Sequence, residues 1–309
     1  MTARILTFRS AKVVASLIVS LTIVACAAIE TNTASRLASG DMRPASGCAD
    51  LPDTAKATMV IFDPGLDRTL VCNENRANRR FVPASTFKIA HSLIALETGA
   101  VVDENRPFEW DGRDRGVPAW NGDKSMVEAV PASAVWVFQE IARRVGHRSE
   151  QAWVDRLDFG DKNVGAESDL LHFWLSGPLT ISATEQIEFL RRLHDDRLDA
   201  SAVNMAKVRT IIRMEGTTDG GVVHGKTGAM LPIDDAGFLR QGQAGLLPVG
   251  TERTGWFVGW IDRPGSAGPV YFALNLDLDL PDAMAARTAA AYAVLSANGY
   301  AVPAKTGGE

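Results

Sequence analysis

The sequence is short of cysteine, tyrosine and histidine, and neither sign of charge dominates it. Three cysteines in 309 residues leave room for one internal disulfide at most. The five histidines show no metal-ligand spacing, so no metal is expected and a zinc hydrolase is not a candidate. A formal net charge of −5, with 22% charged residues and no Lys/Arg cluster interleaved with aromatics, offers no surface for a polyanion. Nucleic acid is therefore not an expected partner. No internal repeat is present.

What is present is apolar residue, 46% of the chain, enough for a full core. That suits one large domain or two intimate lobes rather than a string of modules. The first residues stand apart. Arg4, Arg9 and Lys12 precede Val13 to Ile23, apolar apart from two serines and a threonine, and Ala25-Cys26-Ala27-Ala28 follows. A basic stretch, a short apolar run and an A-x-A-like site read as a secretory signal over residues 1–27, leading to the periplasm. A retained membrane anchor is the alternative, against which the apolar run is short. Ile23-Val24-Ala25-Cys26 also resembles a bacterial lipobox, so plain cleavage and a lipid anchor through Cys26 both stay open. Residues 28–47, rich in Ala, Ser, Thr and Asn, read as a flexible tether. Residues 48–300 read as the folded domain and 301–309 as a disordered tail. With Cys26 removed or lipidated, Cys48 and Cys72 are either a disulfide, in the oxidising compartment that export implies, or two unrelated thiols.

Past the tether, Ala57 to Phe62 reads as a strand, Asp63-Pro64-Gly65-Leu66-Asp67 as a turn and Arg68 to Cys72 as the returning strand. Helices follow. One opens at Pro83-Ala84-Ser85, carries Phe87, Ile89, Ala90, Leu93, Ile94 and Leu96, and ends at Gly99. Others cover Ala134 to Val145, the stretch from the Ser182/Glu185 capping box to about His194, and about Ala202 to Met214. Strands return at Gly221 to Lys226, Gly255 to Ile261 and Val270 to Leu276, and an Ala-rich helix over about Asp282 to Ala297 closes the chain. Strands at both ends with helices between predict an α+β fold, an antiparallel sheet with flanking helices and an inserted, mostly helical lobe. A cleft between sheet and helices is where such a fold places a site.

Three short motifs carry chemistry. Ser85-Thr86-Phe87-Lys88 lies where a helix begins. Residues three apart share a helix face, so hydroxyl and amine can meet there beside the free N–H groups of the first turn. That supplies a nucleophile, a base and part of an oxyanion hole. Alone it decides nothing, since about one Ser-x-x-Lys arises by chance in a chain of this length. Lys226-Thr227-Gly228 follows a predicted strand, where an ammonium, a hydroxyl and a glycine can approach a ligand carboxylate closely. The same tripeptide at Lys305-Thr306-Gly307 has no strand around it and is assigned to the tail. Ser133-Ala134-Val135 opens the second helix, where the serine alone would read as an N-cap. The order of the three, Ser-x-x-Lys, Ser-x-Val, Lys-Thr-Gly, is what raises it.

That order resembles the penicillin-recognising serine acyltransferases, and Ser-x-Val in place of Ser-x-Asn resembles the class D, oxacillinase-type β-lactamases. Arg80-Phe-Val-Pro-Ala-Ser-Thr-Phe-Lys-Ile89, Phe173-Trp-Leu-Ser-Gly-Pro-Leu-Thr-Ile-Ser182 with Glu185-Gln186, and Gly255-Trp-Phe-Val-Gly-Trp260 agree, so the likeness spans roughly residues 57 to 297. It implies a secreted β-lactam hydrolase with small-molecule substrates and no cofactor beyond a CO₂-derived carbamate on Lys88. The implied nucleophile is Ser85, and the implied walls around Lys88 are Phe87, Val135, Trp174 and Leu175, with the Trp174 N–H bonding the carbamate. An ordinary lysine, pKa near 10.4, is neutral about once in a few thousand at pH 7, and burial among apolar groups changes that. The resemblance further assigns the oxyanion to the Ser85 and Ala229 N–H groups, proton relay to Ser133 with Lys226, and the substrate carboxylate to Thr227, Gly228 and Arg287.

Two departures stand out. Phe159-Gly160-Asp161 replaces the family's Tyr-Gly-Asn, exchanging a phenol for a carboxylate expected at the cleft edge. The connection from Ala229 to Thr254 is long, and Phe238 to Leu247 within it reads as a lid over the cleft or as a surface excursion. A penicillin-binding D,D-peptidase and a non-hydrolytic β-lactam sensor are the competing functions. Oligomeric state is not legible.

Overall fold

A computed structural model describes residues 42–231, 233–238, 253–265, 268–280 and 282–304. The leader with Cys26, residues 28–41, the middle of the connection after Lys226 and the second Lys-Thr-Gly lie outside the described residues. The frame is a seven-stranded sheet of β1 (Met42–Pro44), β2 (Ala57–Asp63), β3 (Arg68–Cys72), β4 (Arg213–Gly216), β5 (Val222–Ala229), β6 (Thr254–Asp262) and β7 (Pro269–Asp277), in the order β1-β3-β2-β7-β6-β5-β4. Every pairing is antiparallel except β1 with β3. Asp63 starts the β2–β3 turn by accepting a bond from the Leu66 N–H, and Asp67 ends it in the left-handed region.

Seven helices separate β3 from β4: α1 (Glu74–Ala77), α2 (Lys88–Glu97), α3 (Met126–Ala132), α4 (Val135–Val145), α5 (His147–Arg156), α6 (Ala183–His194) and α7 (Ala202–Ile211). The eighth, α8 (Ala283–Ala297), follows β7. Alternation along β6 divides the core. Phe257 and Ile261 join Phe272, Leu274 and the α8 residues Ala291, Val294 and Leu295 in one cluster. Trp256 and Trp260 point to the other face, where His194 of α6 meets the Trp260 ring edge-on and the Trp256 N–H bonds Val82 O at 2.9 Å. With both faces covered, β6 is buried along its length except at Asp262. Removing each of its large side chains from water contributes about 1.5–3 kcal/mol.

The chain departs from its sequence-based outline at the ends and the edge. The tether expected over 28–47 stops by residue 42. Met42–Pro44 pairs with Thr69–Val71, Ala45 N bonds Val71 O, and Ser46 exchanges bonds with Asn298. Cys48 and Cys72 form a disulfide beside that edge. The tail expected from 301 is fastened at its start, where Val302 O accepts from Thr218 N and Val302 packs on the core. Met214 belongs to β4 rather than to α7. Every β4 residue is exposed, so no apolar alternation marked it as a strand.

Candidate active site

The segment carrying Ser85 is held from two sides. Phe81 and Ile181 exchange backbone bonds of 2.9 Å each, and Arg80 pairs with Glu185, so two distant segments of the sequence become neighbours. Thr86 Oγ1 donates to Pro83 O at 2.7 Å and accepts from Gln186 Nε2 at 2.8 Å. On the sheet side, β5 abuts this turn at Gly228. A Cβ there would lie 3.0 Å from Pro83 O and 3.2 Å from Thr86 N, so a side chain would push the strand away. Ala84 precedes Ser85 with φ 50, and Ser133 has φ 55. Non-glycine residues in the left-handed region are strained, and surrounding structure must hold them there.

Two serine–lysine pairs result. Lys88 Nζ donates to Ser85 Oγ at 3.0 Å, one helical turn away. Lys226 Nζ lies 2.5 Å from Ser133 Oγ and 2.9 Å from Thr227 O. Ser133 does not cap the helix that follows. It ends α3, with Ala134 at the N-cap of α4, and this break frees its hydroxyl for Lys226. Lys88 is fully buried and Lys226 nearly so, 0% and 4% exposed. Burial, then the charge of Lys226, holds the Lys88 amine well below the ordinary lysine range. Burial, then the charge of Arg287, brings Lys226 down to about 7. Arg287, on α8, is itself lowered by burial, and its Nε has no hydrogen-bond partner.

Of the residues expected as walls around Lys88, Phe87 and Trp174 have no exposed surface, Val135 2% and Leu175 4%. Trp174 Nε1 is buried without a hydrogen-bond partner. Sequence reasoning missed Phe138, over whose ring Lys88 Nζ sits at 5.1 Å. It lies one turn beyond Val135, and that i,i+3 spacing was the available signal. It also missed His91 and Glu150, a buried pair one turn beyond Lys88, with 2.7 Å between Nε2 and Oε1.

Phe159-Gly160-Asp161 requires correction. Phe159 is buried edge-to-face against Phe87, and Asp161 accepts bonds from Thr180 N and Oγ1 at 3.0 and 2.6 Å instead of presenting a free carboxylate at the cleft edge. Gly160 makes this possible, because a Cβ there would lie 2.1 Å from Thr180 O. The long connection leaves β5 and crosses to α4. Asp234 O and Ala236 O accept from Gln139 and Arg115, and Phe238 lies under the Arg115 guanidinium, while the rest of Phe238–Leu247 lies outside the described residues. His224 of β5 stacks on Trp260 and bonds Arg209 O. A cavity of about 770 Å³ bordered by Arg106, Arg115 and Arg143 is lined by none of the motif residues, so it lies apart from the chemistry.

The chain is similar to known proteins over most of its length. The penicillin binding protein transpeptidase domain matches residues 54–298. The β-lactamase OXA-48 of Klebsiella pneumoniae is 33% identical over 241 residues, 78% of this chain and 83% of that protein. OXA-5 of Pseudomonas aeruginosa is 36% identical over 74% of this chain and 79% of its own length. Among solved structures, the class D β-lactamase YbXI from Nostoc superposes with TM-score 0.72 at 32% identity, covering 83% of this chain and 99% of that one. FUS-1 (OXA-85) of Fusobacterium nucleatum subsp. polymorphum gives 0.67 at 32% identity, over 78% and 91%.

Proposed function

Since the chain belongs to the class D β-lactamases, within the penicillin-binding-protein transpeptidase family, we propose that it hydrolyses β-lactam antibiotics through an acyl-enzyme on Ser85, and so protects the cell that makes it. The observation that carries the reading is the two serine–lysine bonds, with β5, which carries Lys226, packed against the Ser85 turn at Gly228. A carbamate on Lys88 fits the residues around it, because the amine is buried with its proton disfavoured and Trp174 Nε1 is an unused buried donor. When bound, that group supplies a carboxylate-like base beside the Ser85 hydroxyl. Ser85 attacks the strained lactam carbonyl, and the N–H groups of Ser85 and Ala229 receive the oxyanion. Ser133 passes a proton to the leaving nitrogen, with Lys226, poised near 7, exchanging protons behind it. Thr227, Gly228 and Arg287 hold the substrate carboxylate. The buried apolar walls keep the amine from solvent, which favours the modified lysine over the free amine of a D,D-peptidase.

Export to the periplasm, with lipidation at Cys26 as a variant of it, belongs to the same proposal, supported by the basic-then-apolar leader and by a disulfide that needs an oxidising compartment. The deciding experiment is turnover of a chromogenic cephalosporin by purified enzyme. Many turnovers per protein are expected. A single stoichiometric burst would return the chain to the sensor reading, and slow release a peptidase.

A further inference from the structure

Behind Lys88 lies a pair that acyl transfer does not use. His91 follows Lys88 by one turn of α2, and its Nε2 is 2.7 Å from Oε1 of Glu150 in the first turn of α5, both side chains wholly buried. The second polar atom of each, Nδ1 and Oε2, has no hydrogen-bond partner. As filling, such a pair is a poor choice, since well-packed apolar side chains of similar volume are as stable or more so. Its position is more telling. The imidazole meets three rings of the lysine pocket: Trp174 at 5.2 Å, Phe87 at 5.3 Å and Phe138 at 5.5 Å. Trp174 makes no hydrogen bond of its own, so ring contacts alone set its plane. A ring held only by apolar neighbours can rock about its terminal torsion, which is broad. One tied at a nitrogen cannot.

We propose that His91 and Glu150 are positioning residues for the Lys88 pocket. The bond to Glu150 fixes the imidazole plane, and the imidazole fixes the indole so that its N–H stays available to an acceptor on Lys88. This rests on the carbamate reading given above. Second partners that orient a ligand-binding side chain shift affinity by about 10- to 100-fold when removed.

The test is titration of degassed enzyme with ¹³C-bicarbonate, following the carbamate resonance by NMR alongside recovered activity and Tm. Glu150→Gln keeps an acceptor for the imidazole and should keep the wild-type midpoint. His91→Phe combined with Glu150→Met keeps a ring and the volume while removing both polar ends. It should fold with a Tm near wild type yet need about tenfold more bicarbonate to half-fill the resonance. Glu150→Met alone, which leaves the imidazole without its acceptor, should shift the same midpoint and serves if the double variant does not fold. Apolar variants with the wild-type midpoint would reduce the pair to packing and overturn the proposal. A wild type with no such resonance would remove the carbamate reading itself, and this inference with it.

Discussion

Lys88 on the helical side and Lys226 on the sheet side each bond a serine hydroxyl, at 3.0 and 2.5 Å, yet their surroundings differ. Lys88 is wholly buried with its amine over the Phe138 ring, and its bond to Ser85 is the one polar contact described for that amine. Lys226, on β5, bonds the Thr227 carbonyl and is lowered also by the charge of Arg287. Both amines lose their protons more readily than a free lysine. In the first case burial, then the charge of Lys226, holds the amine well below the ordinary lysine range. In the second the amine comes down to about 7, where a proton can move either way near neutral pH. One residue type acquires two different proton affinities from what lies around it.

The strongest way to break that comparison is to remove one pair. Ser85→Ala and Lys88→Ala should each lower turnover by roughly 10⁴-fold or more, because nucleophile and base act as a unit. Lys88→Ala should still acylate slowly, visible as a mass increase on the intact protein, and Ser85→Ala should not. Near-native steady-state rates in either variant would misplace the site.

Next comes the sheet side. Lys226→Met should cost about 10²- to 10⁴-fold in kcat/KM, the range of a general acid–base group. It should also change how stability depends on pH. With a folded pKa of about 7 against 10.5, the unfolded chain holds more protons between those values, so this lysine makes stability rise with pH across that window, by up to about 1.4 kcal/mol per unit. Denaturant melts at pH 7, 8 and 9 should show wild type gaining on Lys226→Met. A constant gap would mean that the amine is charged in the fold.

A smaller effect sharpens the contrast. Val135→Asn puts an amide into the dry wall, which solvates the Lys88 ammonium, and one pKa unit toward the ordinary value is a tenfold loss of neutral amine. About tenfold more bicarbonate should then be needed to restore activity to degassed enzyme. No shift would show that burial at this position does not set the amine. The smallest effect on turnover belongs to Cys48→Ser, remote from both lysines. It should lower stability by about 3 kcal/mol while leaving kcat/KM unchanged. A large loss of activity would mean that the β1–β3 edge supports the site.

Much of this was legible beforehand because it is local. The Ser182/Glu185 capping box, the β2–β3 turn and the apolar alternation of β5 to β7 follow from spacing within a few residues. The edge strands were not. β1 has three residues and β4 is exposed throughout, so each is a strand only because a partner runs beside it. Asp161 was misread for the same reason, since its partner Thr180 lies nineteen residues away.

By itself, the sequence determined which residues could do the chemistry and the order in which they occur, since the helix period puts Ser85 next to Lys88 without outside help. Only the tertiary structure decided what those amines are. Lys88 is buried with its amine over the Phe138 ring of another helix, which disfavours its charge, and Lys226 reaches Ser133 because α3 breaks at a left-handed serine. Solvation is set by everything within a few ångströms, and three-dimensional neighbours are not sequence neighbours.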